Sequence, residues 1–118
     1  MTSTVVVADD DEDLRVTLEI WLKDIGSNIV PATNGQEALE ALESLSNDVD
    51  VLLIDRRMPG LSGDEVVKRL KESSFTGRII AMSAHPPNDH LSEDDVDEYL
   101  TKPLYQNDVV DTVRKAAL

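Results

Sequence analysis

Apolar residues in this chain gather in short unbroken runs, separated by longer stretches in which they recur at helical spacing. Val5-Val6-Val7-Ala8, Val51-Leu52-Leu53-Ile54 and Ile79-Ile80-Ala81-Met82 are the clearest runs. Unbroken runs of this length predict strands buried on both faces, as in a parallel sheet. Strands are predicted over Thr4–Ala8, Asn28–Ala32, Val51–Asp55, Arg78–Met82 and Glu98–Thr101.

The intervening segments are amphipathic. Leu14, Leu18, Trp21, Leu22 and Ile25 line one helical face before Gly26 supplies a stop. Asn34-Gly35-Gln36-Glu37 reads as a helix cap with an acid three residues on, leading into Leu39, Leu42 and Leu45. Ser62-Gly63-Asp64-Glu65 is a second box of this kind, ahead of Val66, Val67 and Leu70. Val109, Val110, Val113 and Ala117 mark the apolar face of a last helix. Strands and helices that alternate in this way predict right-handed βαβ units and a doubly wound sheet.

One connection breaks the pattern. His85-Pro86-Pro87-Asn88-Asp89 is a breaker cluster, and the acids Glu93, Asp94, Asp95 and Asp97 follow with only Leu91 and Val96 apolar. A helix here is predicted to be short, poorly anchored or absent, and this segment to be the least stable of the domain.

Polar residues sit where the apolar runs end. Asp9-Asp10 follows the first run, Asp55 the third strand's run and Ser83-Ala84 the fourth, while Thr101-Lys102-Pro103 follows Tyr99-Leu100. In an open parallel sheet, ligands bind outside the carboxyl ends of the strands. Three acids, a hydroxyl and a lysine therefore collect at one edge, a donor set suited to Mg²⁺ and a phosphoryl group. A hard cation takes oxygen ligands, commonly one or two carboxylates plus phosphate oxygens. Asp55 is placed to accept a phosphoryl group as an acyl phosphate, a transfer that needs positioning and charge neutralisation above all. On the residues alone, plainer readings stay open: Asp9 and Asp10 as acids at a helix start, and Lys102 as a surface lysine.

Composition narrows the classes. The chain has 118 residues, 41% of them apolar, which is enough for one domain with a single core. No run approaches a membrane span, no basic and apolar leader opens the chain, and no cysteine is present, a combination compatible with a cytoplasmic location. The formal net charge of −13 sets the domain against direct nucleic acid binding and against anionic membranes. Self-repulsion of that size is a strain that high salt screens.

Over essentially its whole length the chain resembles the receiver domains of two-component response regulators. The matching segments are Val-Val-Val-Ala-Asp-Asp-Asp at 5–11, Asn-Gly-Gln-Glu-Ala-Leu at 34–39, Asp-Arg-Arg-Met-Pro-Gly-Leu-Ser-Gly at 55–63, Ser-Ala at 83–84 and Tyr-Leu-Thr-Lys-Pro at 99–103. The run from Asp55 onward, with the acidity, further resembles receivers of halophilic archaea. The resemblance implies one receiver domain over residues 1–118, an α/β flavodoxin-like sheet of five parallel strands in the order 2-1-3-4-5, and helices on both faces with the fourth short or irregular. It implies phosphorylation of Asp55 by a histidine kinase or a small phosphodonor. Mg²⁺ would be bound by Asp10, Asp55 and the Arg57 backbone carbonyl, with Asp9 acting largely through water. Lys102 and Ser83 would contact the phosphoryl group, Ser83 and Tyr99 would form a switch pair, and a homodimer or an output partner would use the face near the fourth helix and fifth strand.

Three departures stand out. Arg57 and His85 lie two residues beyond Asp55 and Ser83, where side chains of the family flank the phosphoryl group, so both are candidates for tuning its lifetime. The Gly-Ala pair that usually precedes the fifth strand is absent. The span from Ser83 to Lys102 is a few residues shorter than the family's, and the loss falls on the fourth helix. An Mg²⁺-dependent phosphatase or phosphotransferase on a similar sheet is the enzyme alternative, but Asp55-Arg56-Arg57 lacks the second acid such enzymes place two residues on. A folded but unphosphorylated interaction module is the third reading.

Overall fold

The computed structural model describes residues 3–86, 91 and 93–118. Five strands, β1 (Thr4–Ala8), β2 (Asn28–Ala32), β3 (Val51–Asp55), β4 (Arg78–Ser83) and β5 (Glu98–Thr101), form one sheet in the order β2-β1-β3-β4-β5. All neighbouring strands are parallel. Four helices, α1 (Glu12–Asp24), α2 (Gly35–Leu45), α3 (Gly63–Lys71) and α4 (Gln106–Ala116), connect or follow them. The strand order and the helices on both faces are those that the resemblance implies.

The apolar runs are buried on both faces because alternate side chains serve different layers. Val6, Ala8, Leu52, Ile54 and Ala81 pack with Ala38 and Leu42 of α2 and Val66, Val67 and Leu70 of α3. Val5, Val7, Val51, Leu53, Ile80 and Met82 face the other way, against Leu18 and Leu22 of α1 and Val109 and Val113 of α4. Each fully buried leucine contributes roughly 1.5–3 kcal/mol by leaving water.

The predicted caps form. Asn34 Oδ1 accepts the Glu37 N–H at 2.8 Å, while the Glu37 carboxylate reaches back to the Thr33 N–H at 2.7 Å. Ser62 Oγ accepts the Glu65 N–H at 3.2 Å. Gly26, with φ 88°, ends the first helical segment as expected.

Strand β4 runs one residue past its predicted end, to Ser83, because Ser83 pairs with Thr101 and its carbonyl accepts the Lys102 N–H at 2.8 Å. In the β4–β5 connection, the described residues hold a single 3₁₀ turn, Glu93–Asp95. Pro87, Asn88, Asp89 and Ser92 of the predicted weak segment lie outside the described residues. The turn is tied down by Lys71–Asp95 at 2.8 Å, and both of its neighbouring apolar residues, Leu91 and Val96, are buried in the α2–α3 layer. Where the family carries Gly-Ala, Asp97 enters the sheet. Its N–H donates to the Ile79 carbonyl at 2.9 Å and its carboxylate accepts the Ile79 N–H at 2.7 Å.

Candidate functional site at the carboxyl edge of the sheet

The strand register aligns the polar residues. Ala8 pairs with Ile54 and Asp55 with Met82, so Asp9 and Asp55 leave adjacent strands at nearly the same level. Asp9 is fully buried and Asp55 is 6% exposed, whereas Asp10 is exposed. One carboxylate oxygen from each of these three residues lies within 4.8 Å of the others.

The two buried acids are held by backbone. The Asp11 N–H donates to Asp9 Oδ1 at 2.9 Å, and Asp11 itself caps α1 by accepting from the N–H groups of Asp13 and Leu14. The Arg57 N–H donates to Asp55 Oδ1 at 3.3 Å. Gly63, the first residue of α3, sits directly against the strand end. A Cβ there would collide with the Asp55 carbonyl oxygen and come within 2.8 Å of the Arg56 Cα.

Lys102 supplies the cation. Its Nζ lies 3.3 Å from Asp55 Oδ2 and 3.4 Å from Asp9 Oδ2, bridging the two buried acids. Strand β5, which Lys102 follows, carries it there. Burial works to lower the Lys102 pKa, but the charges and hydrogen bonds of Asp55 and Asp9 outweigh it and hold the ammonium above its ordinary value. Burial is the largest influence on Asp9 and raises its pKa. The Asp11 N–H opposes the rise, Asp55 adds to it, and Lys102 offsets part of it. Two buried carboxylates and an adjoining exposed one share one ammonium, so negative charge is left in excess. This donor set fits a hard divalent cation.

A family model for the response regulator receiver domain matches residues 5–114. The chain belongs to that family. A putative transcriptional regulator from Haloferax volcanii is 39% identical over 111 residues, 94% of this receiver and 19% of the relative. The DNA-binding transcriptional regulator NtrC of Escherichia coli is 36% identical over 115 residues, 95% of this receiver and 24% of NtrC. This receiver thus spans about a fifth to a quarter of the length of these relatives. Among solved structures, the response regulator protein TrrA of Thermotoga maritima, in complex with Mg²⁺-BeF, is 30% identical with a TM-score of 0.84, covering 98% of this receiver and 99% of TrrA. A CheY-like receiver from Methylobacillus flagellatus superimposes with a TM-score of 0.88 at 21% identity, over 98% and 99% of the two chains, a likeness of fold.

The receiver brings Asp9, Asp10, Asp55 and Lys102 together as the sequence predicts. Ser83 is 3% exposed at the end of β4, and its Oγ accepts the His85 N–H at 3.0 Å. Tyr99 on β5 donates its hydroxyl to the His85 carbonyl at 2.7 Å. Arg57 and His85 are exposed residues of the loops that follow β3 and β4. Among the described residues, no helix is long and apolar enough to cross a membrane.

Sequence reasoning passed over Arg56 and Arg15. Arg56 follows Asp55 directly and is only 4% exposed. Its Nε and Nη2 grip both oxygens of Asp64 at 2.9 and 3.0 Å, and its Nη1 donates to the Tyr99 hydroxyl at 2.9 Å. The Asp64 hydrogen bonds raise its pKa further against the opposing effect of burial, so its charge is permanent. Arg15 Nη1 donates to the Asp9 carbonyl at 2.9 Å. The available signal was Asp64 in the first turn of a capped helix, an acid near two arginines at the preceding strand end.

Proposed function

We propose that residues 1–118 form one phosphoacceptor domain in which Asp55 is the residue phosphorylated. The observation that supports this most is the position of Asp55, at the mouth of β3, clustered with Asp9 and Asp10 and 3.3 Å from the Lys102 ammonium. Asp10, Asp55 and the Arg57 backbone carbonyl would hold Mg²⁺, with Asp9 acting through water, and the ion would supply positive charge to the phosphoryl oxygens. TrrA, whose structure contains Mg²⁺-BeF, supports this reading by its likeness.

An Asp55 carboxylate oxygen forms the new O–P bond while the donor's P–N or P–O bond breaks, and the imidazole or carboxylate leaving group departs with the bonding electrons. Lys102 neutralises charge on the transferred group, and the Ser83 hydroxyl donates to one of its oxygens. The reverse loss, to water, returns the free carboxylate. The domain thus catalyses only its own phosphorylation and dephosphorylation. Ser83 and Tyr99 act as the switch pair, reshaping the surface beside β5 for an output partner or a second copy. The phosphodonor is a histidine kinase or a small acyl phosphate, and the setting is cytoplasmic. The charge of −13 supports regulation through protein contacts, without direct nucleic acid or membrane binding.

Incubation with Mg²⁺ and acetyl phosphate, followed by intact mass, tests this. One phosphoryl adduct is expected on the native protein and none on Asp55→Asn. Folded native protein without an adduct, in both low and high salt, defeats the proposal.

A further inference from the structure

Arg56 is a buried cation that neither the metal cluster nor the transfer chemistry uses. It leaves β3 one residue after Asp55, and its backbone N–H stays in the sheet by donating to the Met82 carbonyl at 3.0 Å. Its guanidinium spans two elements. One edge forms the fork on Asp64 in the first turn of α3. Nη1 donates to the Tyr99 hydroxyl on β5 at 2.9 Å and to the Pro86 carbonyl at 3.3 Å, and the Tyr99 ring centroid lies 5.9 Å from Cζ. The Tyr99 hydroxyl is thereby engaged both ways, accepting from Arg56 and donating to His85. Its ring packs against the apolar layer shared with α2 and α3.

A planar guanidinium held at two points by a carboxylate has little freedom to swing. Its direction is set by Asp64, and Asp64 is set by the capped start of α3. The third donor edge therefore meets the tyrosine hydroxyl in a fixed place. A lysine provides no such fork.

We propose that Arg56 is the positioning residue of Tyr99, an Asp64-braced latch that pins the tyrosine against the His85 backbone before any phosphoryl group arrives. This rests on the receiver reading for its consequence: the surface beside β5 is pre-set, and phosphorylation reinforces an arrangement that Arg56 already favours. Arg56 acts through Tyr99 and touches no reacting atom.

The test reads Tyr99 directly in the unphosphorylated full chain. Tyr99 and Tyr105 are the two tyrosines, so 3-fluorotyrosine in a Tyr105→Phe background gives one ¹⁹F signal. The solvent isotope shift between H₂O and D₂O measures how far that ring is exposed, with the urea-unfolded chain as reference. With Arg56 present the shift should fall below half of the unfolded value. In Arg56→Gln and in Asp64→Asn it should rise towards the unfolded value, and Mg²⁺ with beryllofluoride should bring it back down. Arg56→Lys should behave like Arg56→Gln, because charge without the fork does not position the ring.

An exposed Tyr99 with Arg56 intact overturns the latch. So does an unchanged shift in either variant that keeps its far-ultraviolet dichroism. Asp64 is partly exposed, so Asp64→Asn keeps the test decisive where Arg56→Gln does not fold. The Asp55 adduct, scored separately by mass, distinguishes failure of the latch from failure of the receiver reading: an adduct with an unmoved tyrosine removes only the latch.

Discussion

Ser83 and Tyr99 are joined through the backbone of a single residue: Ser83 Oγ accepts the N–H of His85 at 3.0 Å, and Tyr99 donates to the His85 carbonyl at 2.7 Å. A hydroxyl at the end of β4 and one on β5 thus grip the same residue of the loop between them. A phosphoryl oxygen would accept from the Ser83 hydroxyl while Oγ still accepts the His85 N–H, so a shift of Ser83 towards phosphate would pull on the loop that Tyr99 holds.

This geometry makes the two hydroxyls unequal in stability. Tyr99→Phe removes an acceptor from the permanently charged, buried Arg56, while the carbonyl of the exposed His85 turns to water. The expected loss is about 1–3 kcal/mol, the cost of leaving such groups unpaired. Ser83→Ala frees an N–H on an exposed residue, where water replaces the bond, and the loss should be about 0.5–1 kcal/mol. Urea unfolding of the two variants checks the order, and a larger loss for Ser83→Ala contradicts it.

Burial raises the Asp9 pKa, and the sign of the consequence follows. Between the unfolded value of about 3.9 and the higher folded value, the native state binds more protons than the unfolded one. Stability therefore falls as pH rises through that window. Asp9→Asn has no such group to charge, so in metal-free buffer it should melt several degrees above the native protein at neutral pH, with the difference shrinking towards pH 4. Millimolar Mg²⁺ should reverse the order by stabilising the native acids more, by the binding linkage. Thermal melts of both proteins in chelator and in Mg²⁺ across this pH range decide it.

Much of the fold was legible because its signals are local. Val5–Val7 and Val51–Ile54 could be nothing but doubly buried strands once helical stretches lay between them, and the position of Asp9 and Asp55 at their ends carried the cluster with them. The missed features depend on partners distant in sequence. Arg56 reads as a surface arginine until α3 delivers Asp64 and β5 delivers Tyr99. Asp97 reads as one more acid in an acidic stretch, and only pairing with β4 shows its carboxylate taking the Ile79 N–H. Ionic and hydrogen-bonding roles of this kind carry no periodicity, so pattern reasoning does not reach them.

Gly63 and Gly60 make a contrast in mechanism on the loop that follows Asp55. At Gly63 a Cβ has no room, since the Asp55 carbonyl and the Arg56 Cα already occupy it. Gly63→Ala must push α3 from the strand end, and should cost about 3 kcal/mol and lower the yield of adduct on Asp55. Gly60 has open space around it but φ 75°. Gly60→Ala should cost only about 1–2 kcal/mol, through backbone conformation alone, with the adduct yield kept. Chemical denaturation together with intact mass separates steric from conformational cost, and equal effects of the two substitutions would refute the distinction.

Arg57 and His85 stand exposed on the loops that follow Asp55 and Ser83, two residues beyond each. Hydrolysis of an acyl phosphate needs a water in line with the scissile O–P bond. Side chains of this size would cover that approach when turned towards the site, and the positive charge of Arg57 would draw it towards phosphoryl oxygens. Arg57→Asn and His85→Ala should both shorten the half-life of the adduct, Arg57→Asn several-fold, where each factor of ten corresponds to about 1.4 kcal/mol of barrier. The double variant should approach the product of the two effects, because the residues stand on separate loops. Decay of the purified adduct, followed by intact mass after removal of the phosphodonor, gives all four half-lives. Identical values would assign both side chains to the solvent and leave the lifetime to Asp55, Lys102 and the metal alone.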